Sequence, residues 1–377
     1  MTSRERMGHV MNGRLPDRVP VMCQLSIGHM LLQTGLSPAA FWNSAAVFAS
    51  GLLDLRRSYR FDGILVSLYG HQENWEQRMG GLKKEGKVET VTWKNGDITI
   101  FPPDDLPRHL PSVERSIPSL VKFDPETIPE VIDFIPVSQG LDFIIDPEHP
   151  YLSIDRIVEQ AGQDFSVHGE VTSPFDYYLR LFGHTQGLIG LLEEPGRARA
   201  VLERYSEGLV RLAEQLILHG VDAVKLSSPY AGSGFISPRF YREFVLPYEG
   251  RIARAIRRRG VPVYIHTCGA IHDRLEMMVE AGFSGLECLD PPPLGDVDLA
   301  DAKRRIGGKA FIKGNIDPIH VLLKGSVETV EKDARSRLKI GQPGGGYIMS
   351  TACSVAPRTP PENIRLLAEI VAEFGAY

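Results

Sequence analysis

A histidine and a cysteine two residues apart, His266 and Cys268, close the run Val261 to Gly269 (VPVYIHTCG), which reads as a buried strand. Side chains along a strand alternate between faces, so these two point the same way. Cys353 ends a second such run, Gly345 to Cys353 (GGYIMSTAC). Imidazole and thiolate are the groups zinc prefers. Three protein ligands leave one tetrahedral position open, the pattern of a catalytic rather than a structural zinc. H-x-C alone is a weak signal, and its weight comes from lying at a strand end with another cysteine at a second strand end. The competing reading is a buried histidine and two buried cysteines packed as small hydrophobes. Glu287 lies in the adjacent strand, as a resting fourth ligand displaced by substrate or as a partner of His266. Cys288 follows directly, so alternation predicts that it faces the helices. Cys23 is likewise expected to be structural.

These residues need a frame, and strand–helix alternation supplies one. Apolar runs at Val19 to Leu25, Gly63 to Leu68, Phe165 to Thr172, Asp222 to Ser228, Val261 to Gly269, Phe283 to Asp290, Lys309 to Asp317 and Gly345 to Cys353 read as strands. Most are followed by a helical pattern. Eight strands with a closing helix predict a single (β/α)8 TIM barrel over residues 1–377, of class α/β. A doubly wound open sheet is the competing architecture. An N-terminal helical segment, Ser3 to Asn12, precedes the first strand. An insertion at about 80–160 follows the second, with VETVTW and DITIF flanking the turn Lys94-Asn95-Gly96 as a β-hairpin. Short helices are expected through DPETIPEVIDFI and SIDRIVEQAG.

Composition excludes several function classes. The 377 residues are 43% hydrophobic and 24% charged, with a net charge of −5, which suits a large core. A nucleic-acid footprint needs a clustered basic face. The densest basic run, Arg254 to Arg259, ends a predicted helix, where it complements the dipole. No apolar run reaches the ~18 residues needed to span a bilayer, and the N-terminal stretch lacks the apolar core of a signal peptide. Four cysteines in a long chain predict metal binding or chemistry rather than a disulfide framework, and a cytoplasmic location.

The stretches SRERMGHVMNGRLPDRVPV, HTCG, GLECLDPP, DLADAKRRIGGKAFIKGNIDP and GGGYIMSTACSVAPRTPPENIRLL resemble the uroporphyrinogen decarboxylase superfamily along nearly the whole chain. That superfamily contains the decarboxylases and the zinc-dependent methyltransferases that serve methyl-corrinoid proteins, all barrels. Two departures separate this chain from the decarboxylases. Their arginine-rich segment at the end of the first strand grips porphyrinogen carboxylates, and here that place reads Cys23 to His29 (CQLSIGH), without arginine. They carry a histidine in the last-strand motif where this chain has Cys353. The pattern instead is similar to that of the coenzyme M methyltransferases, whose motif makes His266, Cys268 and Cys353 zinc ligands. Asp62 resembles the place of the decarboxylases' catalytic aspartate, a role not carried over without the arginines. Tyr177 and Tyr178 resemble a pocket tyrosine, with either one facing inward.

The resemblance implies a zinc cofactor and a methyl-corrinoid supplied by a partner protein. A small thiol, coenzyme M-like, would bind the open zinc position as thiolate and attack the methyl group; tetrahydrofolate is the other acceptor considered. Gln24, Lys225, Asn315 and Asp317 are expected to bind the cofactor or substrate at the rim, with His168, Glu170 and Ser227 as further pocket candidates. Asn315 and Asp317 fall in KGNIDP, which resembles a family motif. Three alternatives stand beside this function. One is a first-stage methyltransferase that demethylates a methoxylated or methylated substrate onto a corrinoid protein. The second is a decarboxylase-like lyase on a different acid. The third is a non-catalytic barrel stapled by zinc.

Overall fold

In the computed structural model, which describes residues 1–114 and 116–377, the strands form a closed parallel barrel wrapped by helices. The segment at residues 19–25 is the first stave, followed by β1 (Gly63–Val66). The insertion carries β2 (Met79–Glu85), β3 (Val88–Trp93), β4 (Ile98–Phe101) and β5 (Arg108–Leu110), then β6 (Phe134–Val137) and β7 (Leu141–Ile144). The barrel resumes with β8 (Ser166–Thr172), β9 (Ala223–Ser227), β10 (Val263–Thr267), β11 (Gly285–Cys288), β12 (Phe311–Ile316) and β13 (Tyr347–Thr351). Seven strands pair in parallel in the order β1-β8-β9-β10-β11-β12-β13. They read as near-continuous apolar runs because each is covered on both faces.

The eighth stave is less regular than the sequence predicts. Residues 19–25 form no continuous strand and meet β13 through parallel bridges, Val21 with Met349 and Leu25 with Val355. On the other side Asp62 N–H donates to Val21 O at 2.8 Å, which joins the segment to the foot of β1. Pro20 has no N–H to add to a ladder, a local reason for the broken pairing.

The bottom of the barrel is plugged. Met7, Val10 and Met11 of the helix Ser3–Met11 pack with Met22, Ala223, Tyr264, Phe311 and Ile348 inside the barrel. Asp62 anchors that plug rather than facing the opposite, functional rim. Its buried carboxylate accepts from Arg6 (2.7 Å), Arg18 (3.0 and 3.1 Å), Ser3 (2.7 Å) and the backbone of Val21 (2.8 Å). Removing one partner of a buried pair leaves the other charge uncompensated. Asp62→Ala is therefore expected to cost about 3–5 kcal/mol, read as a lowered urea midpoint with unchanged metal content. A midpoint within error of the parent would show that the plug does not depend on this carboxylate.

The insertion lies over the barrel mouth. β3 and β4 form the expected hairpin across Lys94-Asn95-Gly96, with Gly96 at φ 91°, and β2 and β5 extend it to a four-stranded antiparallel sheet. The helix Leu152–Ala161 forms in SIDRIVEQAG. Through DPETIPEVIDFI the expected short helix is reduced to a single 3-10 turn, Pro125–Thr127, before the segment runs into β6. Pro129 stops a longer helix by lacking a donor and by holding Ile128 extended. Among the described residues no helix is long and apolar enough to cross a membrane.

Candidate metal centre

The three residues singled out by type and spacing converge at the mouth of the barrel. His266 Nε2 lies 3.3 Å from Cys268 Sγ, and Cys268 Sγ lies 3.7 Å from Cys353 Sγ. All three ligating atoms lie within 4.8 Å of one another. Two thiolates bound tetrahedrally at about 2.3 Å would stand about 3.8 Å apart, so the sulfur separation fits one shared zinc. His266 is buried, and both cysteines are half-buried at the floor of a cavity of about 430 Å³. Among the clustered thiols the thiolate is favoured at Cys353, whereas Cys268 and Cys288 are pushed up. The neighbouring Cys268, Cys288 and His266 side chains hold the Cys353 thiol well below its ordinary range, outweighing its burial.

Glu287 takes the second of its two expected places. Parallel register sets it beside His266, and its Oε2 lies 2.9 Å from His266 Nδ1, on the ring edge away from the sulfurs. An ionised carboxylate only accepts, so Nδ1 carries a proton and Nε2, facing the sulfurs, is the nitrogen a metal would take. Burial opposes charge on Glu287, but Lys225, Lys313 and His266 more than offset it and hold its carboxyl well below the usual range. Lys313 Nζ bonds Oε1, and Lys225 Nζ lies 3.3 Å from Oε2. With both oxygens engaged, Glu287 is not free to be a fourth ligand.

Cys288 departs from the expectation. Regular alternation would turn it toward the helices, yet its sulfur lies in a second cluster with Cys268 and Asp290, ligating atoms again within 4.8 Å. The cause is backbone: Cys288 and Leu289 hold φ of 83° and 53°. Two consecutive non-glycine residues in this region cost about 1–3 kcal/mol each, a strain characteristic of functional sites. Burial pushes the Cys288 thiol well up, as do the sulfurs of Cys268 and Cys353 beside it. It donates to Asp290 Oδ2 at 3.3 Å. Cys23 is buried away from the cluster, and burial pushes its thiol up to about 11.

The remaining candidates divide between pocket and scaffold. Gln24, Glu170 and Ser227 line the cavity. Lys225 sits buried just beneath, donating to Gln24 Oε1 at 2.5 Å and 3.6 Å from Glu170. Asn315 and Asp317 do not reach the cavity. Asn315 donates to Leu289 O at 2.7 Å and bonds Arg337, whereas Asp317 caps the following turn through the N–H groups of Ile319 and His320. Polar side chains near a strand end serve loops as readily as ligands. His168 lies inside the barrel between Tyr264 and Ser166, and burial pushes its pKa down to about 3. Neither tyrosine lines the cavity: Tyr177 donates to Phe134 O and Tyr178 to Gly187 O.

Asp176, Arg180 and His184 are among the polar wall residues that went unremarked in the sequence. Asp176 follows the N-cap Ser173 in the first turn of the helix Pro174–Phe182, where an acid reads as dipole complement. Its carboxyl is buried, with Oδ2 lacking a partner, and burial followed by Glu249 raises its pKa well above the usual value. Arg180 forms a bidentate pair with Asp142 of β7 at 2.7 and 2.9 Å, tying the insertion to the wall.

Comparison with known proteins places both branches of one family beside this chain. A uroporphyrinogen decarboxylase (URO-D) family model matches residues 120–374. The methylcobamide:CoM methyltransferase MtaA of Methanosarcina barkeri is 23% identical over 387 residues, covering 100% of this chain and 99% of the relative. A uroporphyrinogen decarboxylase of Thioalkalivibrio sulfidiphilus is 30% identical over 198 residues, 52% of this chain and 53% of its own length. In three dimensions a methyltransferase from Methanosarcina mazei superposes with a TM-score of 0.71 at 20% identity, covering 99% of both chains, and shares the fold.

Proposed function

The chain belongs to the uroporphyrinogen decarboxylase family, and from that premise we propose that it is a zinc-dependent methyltransferase moving a methyl group between a methyl-corrinoid protein and a small thiol. The observation that carries this reading is the convergence of His266 Nε2, Cys268 Sγ and Cys353 Sγ on the floor of an open cavity. The full-length similarity to a methylcobamide:CoM methyltransferase supports it. A decarboxylase of porphyrinogens needs cations for many carboxylates. The cavity's only arginine, among the described residues, is Arg180, already paired with Asp142.

A bound zinc would deprotonate the substrate thiol, whose free pKa near 8.5 leaves the thiolate a minority at neutral pH. His266, Cys268 and Cys353 would hold it. Glu287 keeps the His266 ring in the required tautomer, and Lys225 and Lys313 keep Glu287 ionised. Apolar residues of the wall, Leu25, Leu68, Leu106 and Ile135, keep bulk water from the sulfur. The cavity, about 430 Å³, admits a small thiol, so the bulkier methyl carrier presents its methyl at the mouth. A methyl group transferred to that sulfur would leave its bonding electron pair with the corrinoid of the partner protein. A thiol is favoured over tetrahydrofolate because a site built of thiolates and imidazole serves thiolate activation.

Chelator-free protein is expected to contain close to one zinc per chain and to methylate a small thiol, such as 2-mercaptoethanesulfonate, from free methylcobalamin. It is expected to leave uroporphyrinogen unchanged. Metal-free protein that is fully active, or turnover of uroporphyrinogen, would overturn this function.

A further inference from the structure

The insertion holds a second cavity, of about 760 Å³, larger than the one above the metal ligands. Its lining comes from β3, β4, β5 and β7 and from Trp42 of the helix Pro38–Asn43. That volume falls within the range of about 300–1,000 Å³ usual for small-molecule sites. Trp42 and Phe143 meet edge to face with ring centroids 5.5 Å apart, and Phe101 and Trp93 add to an aromatic lining. His71 also lines the cavity and packs on Phe48 and Phe143 at 4.7 and 4.8 Å between centroids. Its Nδ1 lies 2.6 Å from the buried Ser153 Oγ, whereas its Nε2 is buried with no partner. Burial pushes the ring's pKa down to about 3, so it is neutral and Nε2 keeps one unmet hydrogen bond.

The charges of the lining do not balance. Asp142 is paired with Arg180, and Asp97 is engaged by Ser112 and Asn95 and lies 3.5 Å from His109. Arg78, Lys94 and Arg108 line the same cavity, and among the described residues none of the three has an ion-pair partner. We propose that this cavity is a second ligand site, taking a planar aromatic molecule that carries an anionic group. The ring packs among Trp42, Phe101 and Phe143, and His71 Nε2 supplies one fixed hydrogen bond. Arg78, Lys94 and Arg108 meet the anion. None of His266, Cys268 and Cys353 lines this cavity, so the site stands independently of the zinc reading. Gly140 and Arg180 line both cavities, which places the ligand behind a wall of the metal cavity.

An aromatic carboxylate and a nucleotide share this chemistry. Titration of the full-length protein with para-hydroxybenzoate and with adenosine monophosphate, read by calorimetry and tryptophan fluorescence, tells them apart. Trp42 and Trp93 line the cavity, and Trp75, the third tryptophan, lies 6.5 Å from Trp93 between centroids, so all tryptophan emission reports on it. One of the two anions is expected to saturate at one per chain and to shift that emission. Its neutral counterpart, para-hydroxybenzamide or adenosine, is expected to bind about tenfold or more weakly, the loss of a charged hydrogen bond. Its non-aromatic counterpart, cyclohexanecarboxylate or ribose phosphate, is expected to bind more weakly too. Arg78→Gln with Arg108→Gln, both exposed side chains, should weaken the anion by about tenfold or more with circular dichroism and zinc content unchanged. Failure of both anions to saturate at millimolar concentration overturns the site, as does equal binding of the neutral counterpart or full affinity in the double variant. The titration of the parent does not depend on how the variant folds, and none of these outcomes touches the methyltransferase reading.

Discussion

Cys353→Ala is expected to strip zinc from the protein and abolish methyl transfer while the barrel stays folded. Cys353 lies just beyond the end of β13, and the packing around it is carried by Met349, Ala352 and Val355, all buried. Cys353 itself is half-buried on the cavity floor, 3.7 Å from Cys268. Loss of an outer partner of a metal ligand already costs about 10–100-fold in affinity or activity, so loss of the ligand itself should exceed that range. Metal analysis, thiol methylation from methylcobalamin and far-UV circular dichroism on one preparation check the three parts. Full metal content with full activity would remove Cys353 from the chemistry and return the site to packed cysteines.

Glu287→Gln is the second substitution with a large expected effect, and it should act on metal and fold together. The carboxylate is 2% exposed and serves His266, Lys225 and Lys313 at once. An amide of the same shape keeps the volume and removes the charge, leaving two buried ammonium groups with less compensation. Breaking a buried pair from one side typically costs about 3–5 kcal/mol. The weakened hold on the His266 tautomer should lower zinc affinity by about 10–100-fold. The double variant Glu287→Gln with Lys313→Met removes one stranded cation and is expected to recover stability but not zinc affinity. Recovery of both, or loss of neither in the single variant, would show that Glu287 acts through packing alone. Chelator competition and denaturant titration separate the two quantities.

Much of this site was legible before folding. His266 and Cys268 share a face because alternation along a strand is a local property of the chain, and Cys353 stands at another strand end. The missing arginines at Cys23 to His29 were equally plain. Other residues were misread for identifiable reasons. Asn315 and Asp317 carry the right chemistry in the right motif, yet their hydrogen bonds serve Leu289, Arg337 and a helix cap. Asp176 drew no reading at all, because an acid in the first turn of a helix is ordinary, and its buried, unpartnered oxygen in the cavity wall appears only in the fold. The cation at position 225 was expected at the rim and instead lies beneath it, holding Glu287 and Gln24.

The amino-acid order by itself determined the alternation of strands and helices, the ligand types and the face that His266 and Cys268 share. These follow from periodicities of two and 3.6 residues, which short stretches of chain encode. Tertiary structure alone decided which ring nitrogen of His266 faces the sulfurs, because parallel register with β11 delivers Glu287 to the other one. It also decided that Cys288 lies beside Cys268 and Asp290, because two left-handed residues at a strand end overrule the alternation that sequence reading must assume. Pairings between strands and local backbone reversals depend on the closed barrel as a whole, and no single stretch of chain contains them.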